Sequence, residues 1–254
     1  AAGLAASGFI PFASTFGVFA TGRVYDQIRN SIAYTRLNVK IAASHTGITV
    51  GEDGASHQAL EDIALMRVLP NMTIIVPADG GQTFQAVEAA VAHNGPVYLR
   101  LGRLAVPRVI PEGTPFELGK AQLLRQGSDL LIVAAGLMTG QALEAAEMLE
   151  KEGIQASVAN LHTIKPLDGE FLIRMAKDTG AVVTAEEHSI LGGLGGAVAE
   201  FLAENFPLPV VRVGIQDTFG ESGTPRALLQ KYGLTPESLV LAGRKALKLK
   251  NSPK

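Results

Sequence analysis

Short apolar runs alternate along this chain with longer stretches in which apolar residues recur every three or four positions. Residues 39–44 (VKIAAS), 73–77 (TIIVP) and 96–101 (PVYLRL) are apolar almost throughout. That is the signature of strands covered on both faces, as in parallel sheets. Between them, residues 60–69 and 83–93 carry apolar side chains at helical spacing. Strands and helices in alternation predict a mainly parallel sheet with helices on both sides.

The rhythm then breaks. Residues 104–118 have no clear period and contain Pro107, Pro111, Gly113 and Pro115, which read as an extended connection. It restarts with a strand at 129–135 (DLLIVAA) and a helix at 140–151 whose Ala142, Leu143, Ala146 and Leu149 share a face. Further strands are predicted at 155–160, 181–185 and 210–213. A closing helix at 235–247 carries its own start signals: Thr235 as N-cap, Pro236 at the first position, Glu237 in the first turn. Residues 248–254 read as a frayed tail. The expected fold is α/β, with two three-layer domains. The first spans 1–105 on a mainly parallel sheet, the linker is 106–117, and a smaller α/β domain occupies 118–254.

Composition narrows the function classes. The chain has 254 residues, 47% of them apolar, which suffices for a substantial core. Lys plus Arg number 22 against 24 for Asp plus Glu, a net charge of -2, so there is no electrostatic footprint for nucleic acid or an anionic membrane. Zero cysteine excludes disulfides, thiolate metal sites, iron–sulfur ligation and a cysteine nucleophile. It fits a reducing compartment, and a cytoplasmic location is expected. No apolar run approaches the roughly 20 residues of a membrane helix. The start, AAGLAASGFIPFAS, has no basic region and is not a signal peptide. Helix-favouring residues run up to Ala1, so the sequence is expected to start inside a helix, with more chain upstream.

The densest candidate chemistry lies at 44–58, SHTGITVGEDGASHQ, between a predicted strand and a predicted helix. Ligands of α/β sheets sit at the carboxyl ends of strands. Two imidazoles and two carboxylates there can surround a polar ligand with donors and acceptors, or they can be a solvated turn. His45 and His57 stand twelve residues apart with no thiol to complete a set, which argues against zinc. Phe16 and Phe19, three apart after an apolar stretch, either pack into the core or stack on a planar ligand. Arg100 and Arg103 flank the end of a strand, as surface charges or as forks for a phosphate or carboxylate. Glu186, Glu187 and His188 read as a strand end with solvated carboxylates, with an acid–base group as the alternative. The glycines of LGGLGGAV, 191–198, fail the dinucleotide spacing and read as a tight turn into a helix at 197–204, and there is no P-loop.

Taken together, these segments resemble the transketolase family of thiamine-diphosphate enzymes. The resemblance rests on Ser14-Thr15-Phe16 with Phe19, on Tyr25-Asp26-Gln27-Ile28-Arg29, and on His45-x-Gly47-x-x-Val50-Gly51-Glu52-Asp53-Gly54-x-x-His57-Gln58. Leu69-Pro70-Asn71 and Pro77-Ala78-Asp79 follow. Later come Thr163-Ile164-Lys165-Pro166-Leu167-Asp168, Glu186-Glu187-His188 with Gly192-Gly193-Leu194-Gly195, and Ser222-Gly223. It covers essentially the whole chain and corresponds to the family's pyrimidine-binding and C-terminal domains, as in split transketolase subunits.

The resemblance implies transfer of a two-carbon ketol unit from a ketose phosphate to an aldose phosphate. The implied cofactor is thiamine diphosphate with Mg2+, its metal and diphosphate held by a domain outside this sequence. The implied partners are an N-terminal diphosphate-binding subunit or domain, a second copy in a homodimer, and sugar phosphates. Phe16 and Phe19 correspond to the aminopyrimidine pocket. Asp53 corresponds to a carboxylate that reads a sugar hydroxyl, His57 to a catalytic-site imidazole, and His45 and Arg103 to groups holding the far phosphate. No metal ligand is expected in this chain. The family's cofactor-activating glutamate falls before Ala1, so these residues alone are expected to form an incomplete site. Alternatives are a fragment of 1-deoxyxylulose-5-phosphate synthase, the β subunit of a 2-oxo acid dehydrogenase, and a non-catalytic assembly module.

Overall fold

The computed structural model describes residues 1–252. The chain begins with a short helix α1 (Ala2–Ala6) and a two-residue strand β1 (Phe12–Ala13). A helical stretch follows, in which α2 (Tyr25–Gln27) is flanked by wide helical turns at Phe19–Arg23 and Ile28–Ala33. The predicted buried strands form as β2 (Lys40–Ala43), β3 (Thr73–Ile75) and β4 (Val97–Arg100). The helices between them are α3 (Asp62–Arg67) and α4 (Gly80–Ala92). Helix α4 starts three residues earlier than its apolar period suggests, because the Asp79 side chain accepts the Gln82 amide at 2.8 Å and caps it.

The second half contributes β5 (Gln122–Arg125), β6 (Leu130–Ala134), α5 (Met138–Lys151), β7 (Ala156–Asn160), β8 (Thr163–Lys165) and α6 (Gly169–Thr179). It continues through β9 (Val182–Ser189), α7 (Leu194–Asn205), β10 (Val210–Ile215), α8 (Pro225–Lys231) and α9 (Pro236–Lys250). Thr235 caps α9 as its sequence predicts, accepting from the Ser238 amide. The expected fraying at 248–254 is overturned for its first part. Helix α9 runs on to Lys250, whose ammonium donates to the Thr179 carbonyl at 2.8 Å. The rest of that expectation, at 253–254, lies outside the described residues. The expected helix at 197–204 starts earlier, at Leu194, directly out of the glycine run.

The described residues form two five-stranded sheets, ordered β1-β2-β4-β3-β8 and β10-β9-β6-β7-β5. Neighbours pair in parallel, except that β8 runs antiparallel to β3 and β5 antiparallel to β7. Strand β8 lies well into the second half of the sequence, yet it completes the first sheet. Alternation along β6 explains the layers. Leu130, Ile132 and Ala134 pack with α5 and α9, while Leu131 and Val133 join a cluster with α6 and α7. That second cluster also holds Ile41, Ile74 and Tyr98 of the first sheet, so one core is continuous across both halves. The opposite face of the first sheet is sealed by α4 through Ala86 and Ala90 on Ile75, Val97 and Leu99. Among the described residues, no helix is long and apolar enough to cross a membrane.

Candidate functional site

The residues singled out around 44–58 lie at the carboxyl end of the first sheet. Strand β2 ends at Ala43, and an isolated parallel bridge continues its pairing with the β1 side through Ser44 and Phe16. The Gly17 amide donates to the Ser44 carbonyl at 2.7 Å, which sets Phe16 beside His45. Their rings stack, with centroids 3.9 Å apart and planes 6° from parallel. His45 holds φ at +54°, in the left-handed region, so the chain turns sharply where its imidazole lies on the phenyl ring. Phe19, one turn on, lies 6.2 Å from Phe16 at 14°. His57 arrives from the far end of the loop, edge-on to Phe19 at 5.3 Å and to Phe16 at 6.2 Å. The Arg23 guanidinium sits 4.7 Å over the Phe19 ring, a cation–π contact.

Four of the six expected side chains thus form one half-buried aromatic cluster, drawn from three separate stretches of sequence. Its two imidazoles are each held by the preceding serine. Ser44 Oγ is 3.0 Å from His45 Nδ1, and Ser56 Oγ is 2.9 Å from His57 Nδ1. Arg103 follows β4 and reaches into the loop, where its Nη1 donates to the Val50 carbonyl and to Glu52 Oε2, the latter at 3.1 Å. Asp53 is exposed at the end of the helical turn Ile48–Asp53. The structure therefore places Arg103 and Asp53 on the loop but outside the ring cluster.

Two sequence expectations are corrected here. Arg100 is not a surface charge, and the carboxylate it forks is an internal one, Asp62, not a ligand's. It is 5% exposed, and it donates to Asp62 from Nε at 2.7 Å and from Nη2 at 3.1 Å. The Tyr98 hydroxyl donates to the same carboxylate at 2.5 Å. Burial pushes the Asp62 carboxyl up, but the Arg100 guanidinium and the Tyr98 hydroxyl more than offset this and hold it below its ordinary range. Strand polarity misleads at this position, because β4 is buried on both faces up to its last residue.

The second correction concerns Glu186, Glu187 and His188, which are buried instead of solvated. Glu186 accepts the Leu194 and Gly195 amides at 2.7 and 2.8 Å and so caps α7 from eight residues upstream. A Cβ on Gly193 would lie 2.0 Å from Glu186 Oε2, which is why glycine stands there. Burial pushes Glu186 up to about 7. His188 accepts the Ala64 amide at Nε2 and donates from Nδ1 to the Ser189 carbonyl, a neutral imidazole that burial pushes down to about 4.

Glu187 has a role that the sequence did not announce. Its Oε1 accepts the Thr49 amide at 2.7 Å and the Thr49 hydroxyl at 2.8 Å. Arg100 Nη2 donates to the Glu187 backbone carbonyl at 2.9 Å. Burial raises the Glu187 carboxyl above its ordinary value, against the pull of Arg100 and the Thr49 donors. Thr49, Arg100 and Glu187 border a cavity of about 400 Å³ at the carboxyl ends of β3 and β4, next to Gly136 and Leu137 of the second half. The only signal in the sequence was the acidic pair itself, which does not say which carboxylate faces which partner.

The chain is similar in sequence to known proteins over its whole length. The transketolase pyrimidine-binding domain family matches residues 1–108, and the transketolase C-terminal domain family matches residues 119–239. A 6-deoxy-6-sulfo-D-fructose transketolase subunit of Clostridium sp. is 49% identical over 251 residues, 99% of this chain and 78% of that protein. A 1-deoxy-D-xylulose-5-phosphate synthase of Heliobacterium modesticaldum is 39% identical over 96% of this chain but only 38% of that protein. A solved structure described as a split-gene transketolase in an inactive β4 tetramer superposes with a TM-score of 0.94 at 59% identity, covering 99% of this chain and 80% of that one. The chain belongs to the transketolase family. It corresponds to the C-terminal section of a split transketolase, an enzyme that transfers ketol groups, and the family implies dependence on thiamine diphosphate.

Proposed function

We propose, from membership of the transketolase family, that this chain builds half of a ketol-transfer site. The reaction moves a two-carbon unit from a ketose phosphate to an aldose phosphate. The observation that carries the reading is the convergence of Phe16, Phe19, His45 and His57 at the carboxyl end of the first sheet. A half-buried wall of near-parallel phenyl rings, Phe16 backed by the stacked His45 imidazole and both met edge-on by His57, suits a planar heteroaromatic ring such as an aminopyrimidine. Phe16 and Phe19 would hold that ring. When bound, thiamine diphosphate supplies carbanion stabilisation as an electron sink. Mg2+ and the diphosphate would be held by an N-terminal partner subunit or domain, with this chain paired to a second copy in a homodimer. A cytoplasmic location completes the proposal and is supported by the lack of cysteine.

The chain's own residues would position the sugars. With Nδ1 engaged by Ser56, His57 has Nε2 free to hydrogen-bond a substrate oxygen and move a proton. Asp53, exposed on the same loop, would accept from a hydroxyl near the reacting carbon. His45 and Arg103 would hold the terminal phosphate, and binding at that remote end orients the reacting end. A half-site of a pyruvate-using 1-deoxyxylulose-5-phosphate synthase is the second reading, favoured by the 39% identity to such an enzyme.

The test combines this chain with its diphosphate-binding partner, thiamine diphosphate and Mg2+, then supplies xylulose 5-phosphate and ribose 5-phosphate. A seven-carbon ketose phosphate formed only with both chains is the expected result. Product from pyruvate and glyceraldehyde 3-phosphate, and none from the sugar pair, would establish the second reading. Association of the two chains with no thiamine diphosphate bound would leave a non-catalytic assembly module, and bound cofactor with neither product would point to a different donor.

A further inference from the structure

The loop that carries His45, Asp53 and His57 belongs to the first half of the sequence, but residues of the second half contact it at several points. Thr49 lies midway between His45 and Asp53. Both its amide and its hydroxyl donate to one oxygen of Glu187, 138 residues away on β9. Glu187 is 4% exposed, so the Thr49 donors and the carboxylate oxygen are largely shielded from bulk solvent, and leaving either unpaired is costly. The contact is also sterically exclusive. A Cβ on Gly47 would lie 2.2 Å from Glu187 Oε1, and Gly47 holds φ at +80°, so both space and backbone geometry demand glycine where the carboxylate enters.

The rest of the loop is seated in the same way. Gln58, directly after His57, donates from Nε2 to the Glu221 carbonyl at 2.9 Å and to the Ile48 carbonyl at 3.2 Å. A Cβ on Gly54, directly after Asp53, would lie 2.6 Å from Ser222 Oγ. The position of Glu187 is itself determined, because Arg100, locked to Asp62, donates to its backbone carbonyl. A rigid network in the core thus ends at Thr49, four residues from the candidate imidazole on one side and four from the candidate carboxylate on the other.

We propose that Glu187 is a positioning residue: by holding Thr49 across the junction of the two halves, it sets the placement of His45, Asp53 and His57. This rests on the ketol-transfer reading for its kinetic consequence, but not for its structural one. The second half of the chain thereby takes part in substrate orientation without touching the sugar.

The experiment compares Glu187→Ala, Glu187→Gln and Thr49→Val with the unaltered chain. Hydrogen exchange is measured on the full-length chain, and transfer kinetics on the reconstituted complex. Glu187→Ala is expected to speed exchange of the Thr49 amide by about tenfold or more, the loss of one charge-assisted bond, with faster exchange across 45–58. In kinetics it is expected to raise KM for the phosphate sugars by about tenfold while kcat falls less. Glu187→Gln keeps an acceptor for both Thr49 donors and should restore exchange and KM. Thr49→Val removes only the hydroxyl bond and should fall between.

Unchanged exchange at 45–58 and unchanged KM in Glu187→Ala would overturn the proposal. So would a Gln variant as impaired as the Ala variant, or a loss of folded protein with native KM in what remains, which marks a purely structural residue. If Glu187→Ala does not fold, native exchange across 45–58 together with native KM in Thr49→Val would overturn it equally. If the unaltered complex shows no ketol transfer, the functional reading fails, while the exchange experiment still decides the clamp.

Discussion

Two regions of this molecule are rich in imidazoles and carboxylates, and they behave oppositely. In the loop 44–58, Glu52 and Asp53 are exposed and His45 and His57 half-buried, each imidazole held by one serine. Around the ends of β4 and β9, Asp62, Arg100, Glu186, Glu187 and His188 are buried and bonded to one another or to backbone amides. The buried set uses its hydrogen-bonding capacity to build the fold. The loop's side chains are less committed, with Glu52 held only by Arg103 and each imidazole only by a serine, as the proposed ligand role requires. Density of titratable residues does not separate a site from a scaffold; how far their hydrogen bonds are already committed does.

The sharpest way to break this comparison is to remove one member of the buried ion pair. Asp62→Ala leaves the Arg100 guanidinium uncompensated in the core, and about 3–5 kcal/mol of folding stability should be lost in urea unfolding. A loss under about 1 kcal/mol would mean that the site admits water. On the open side, His57→Ala should lower the transfer rate at saturating substrate by about a hundredfold, the lower end of general acid–base effects. Its unfolding free energy should fall by only about 1 kcal/mol, because the half-buried imidazole gives up edge contacts with Phe16 and Phe19 and one exposed bond to Ser56. Equal activity would remove His57 from the chemistry.

A smaller effect tests the carboxylate cap. Gly193→Ala drives a methyl into Glu186 and should cost about 1–3 kcal/mol, read as a lowered melting temperature. A pH effect tests the comparison at His162, which is buried, stacked 4.0 Å from Phe116, and leaves its Nε2 without a partner. Burial pushes this imidazole from its ordinary 6.5 down to about 4. The unfolded chain therefore binds a proton that the folded chain refuses. Its contribution to stability is complete above pH 6.5 and is lost as the pH falls toward 4. His162→Phe, which keeps the stack, should flatten the stability–pH curve in that window, and an unchanged slope would show that other groups set it.

The sequence by itself determined the α/β class, the buried strands β2, β3, β4, β6 and β7, and the closing helix with its Thr235 cap, because periodicity and capping are local. It also brought out the residues of the aromatic cluster, since loops at strand ends are where ligand chemistry concentrates. Some local signals went unread. Helix α6 has an Asp168 cap at its start and Gly180 at φ +69° at its end. Only the tertiary structure decided what depends on partners distant in sequence. Strand β8 joins the first sheet, Arg100 turns inward to Asp62, and Glu186 reaches forward to cap α7. Glu187 meets Thr49 across 138 residues. Whether a charged side chain is solvated or buried turns on which surfaces the fold brings against it, and no local pattern along the chain encodes that.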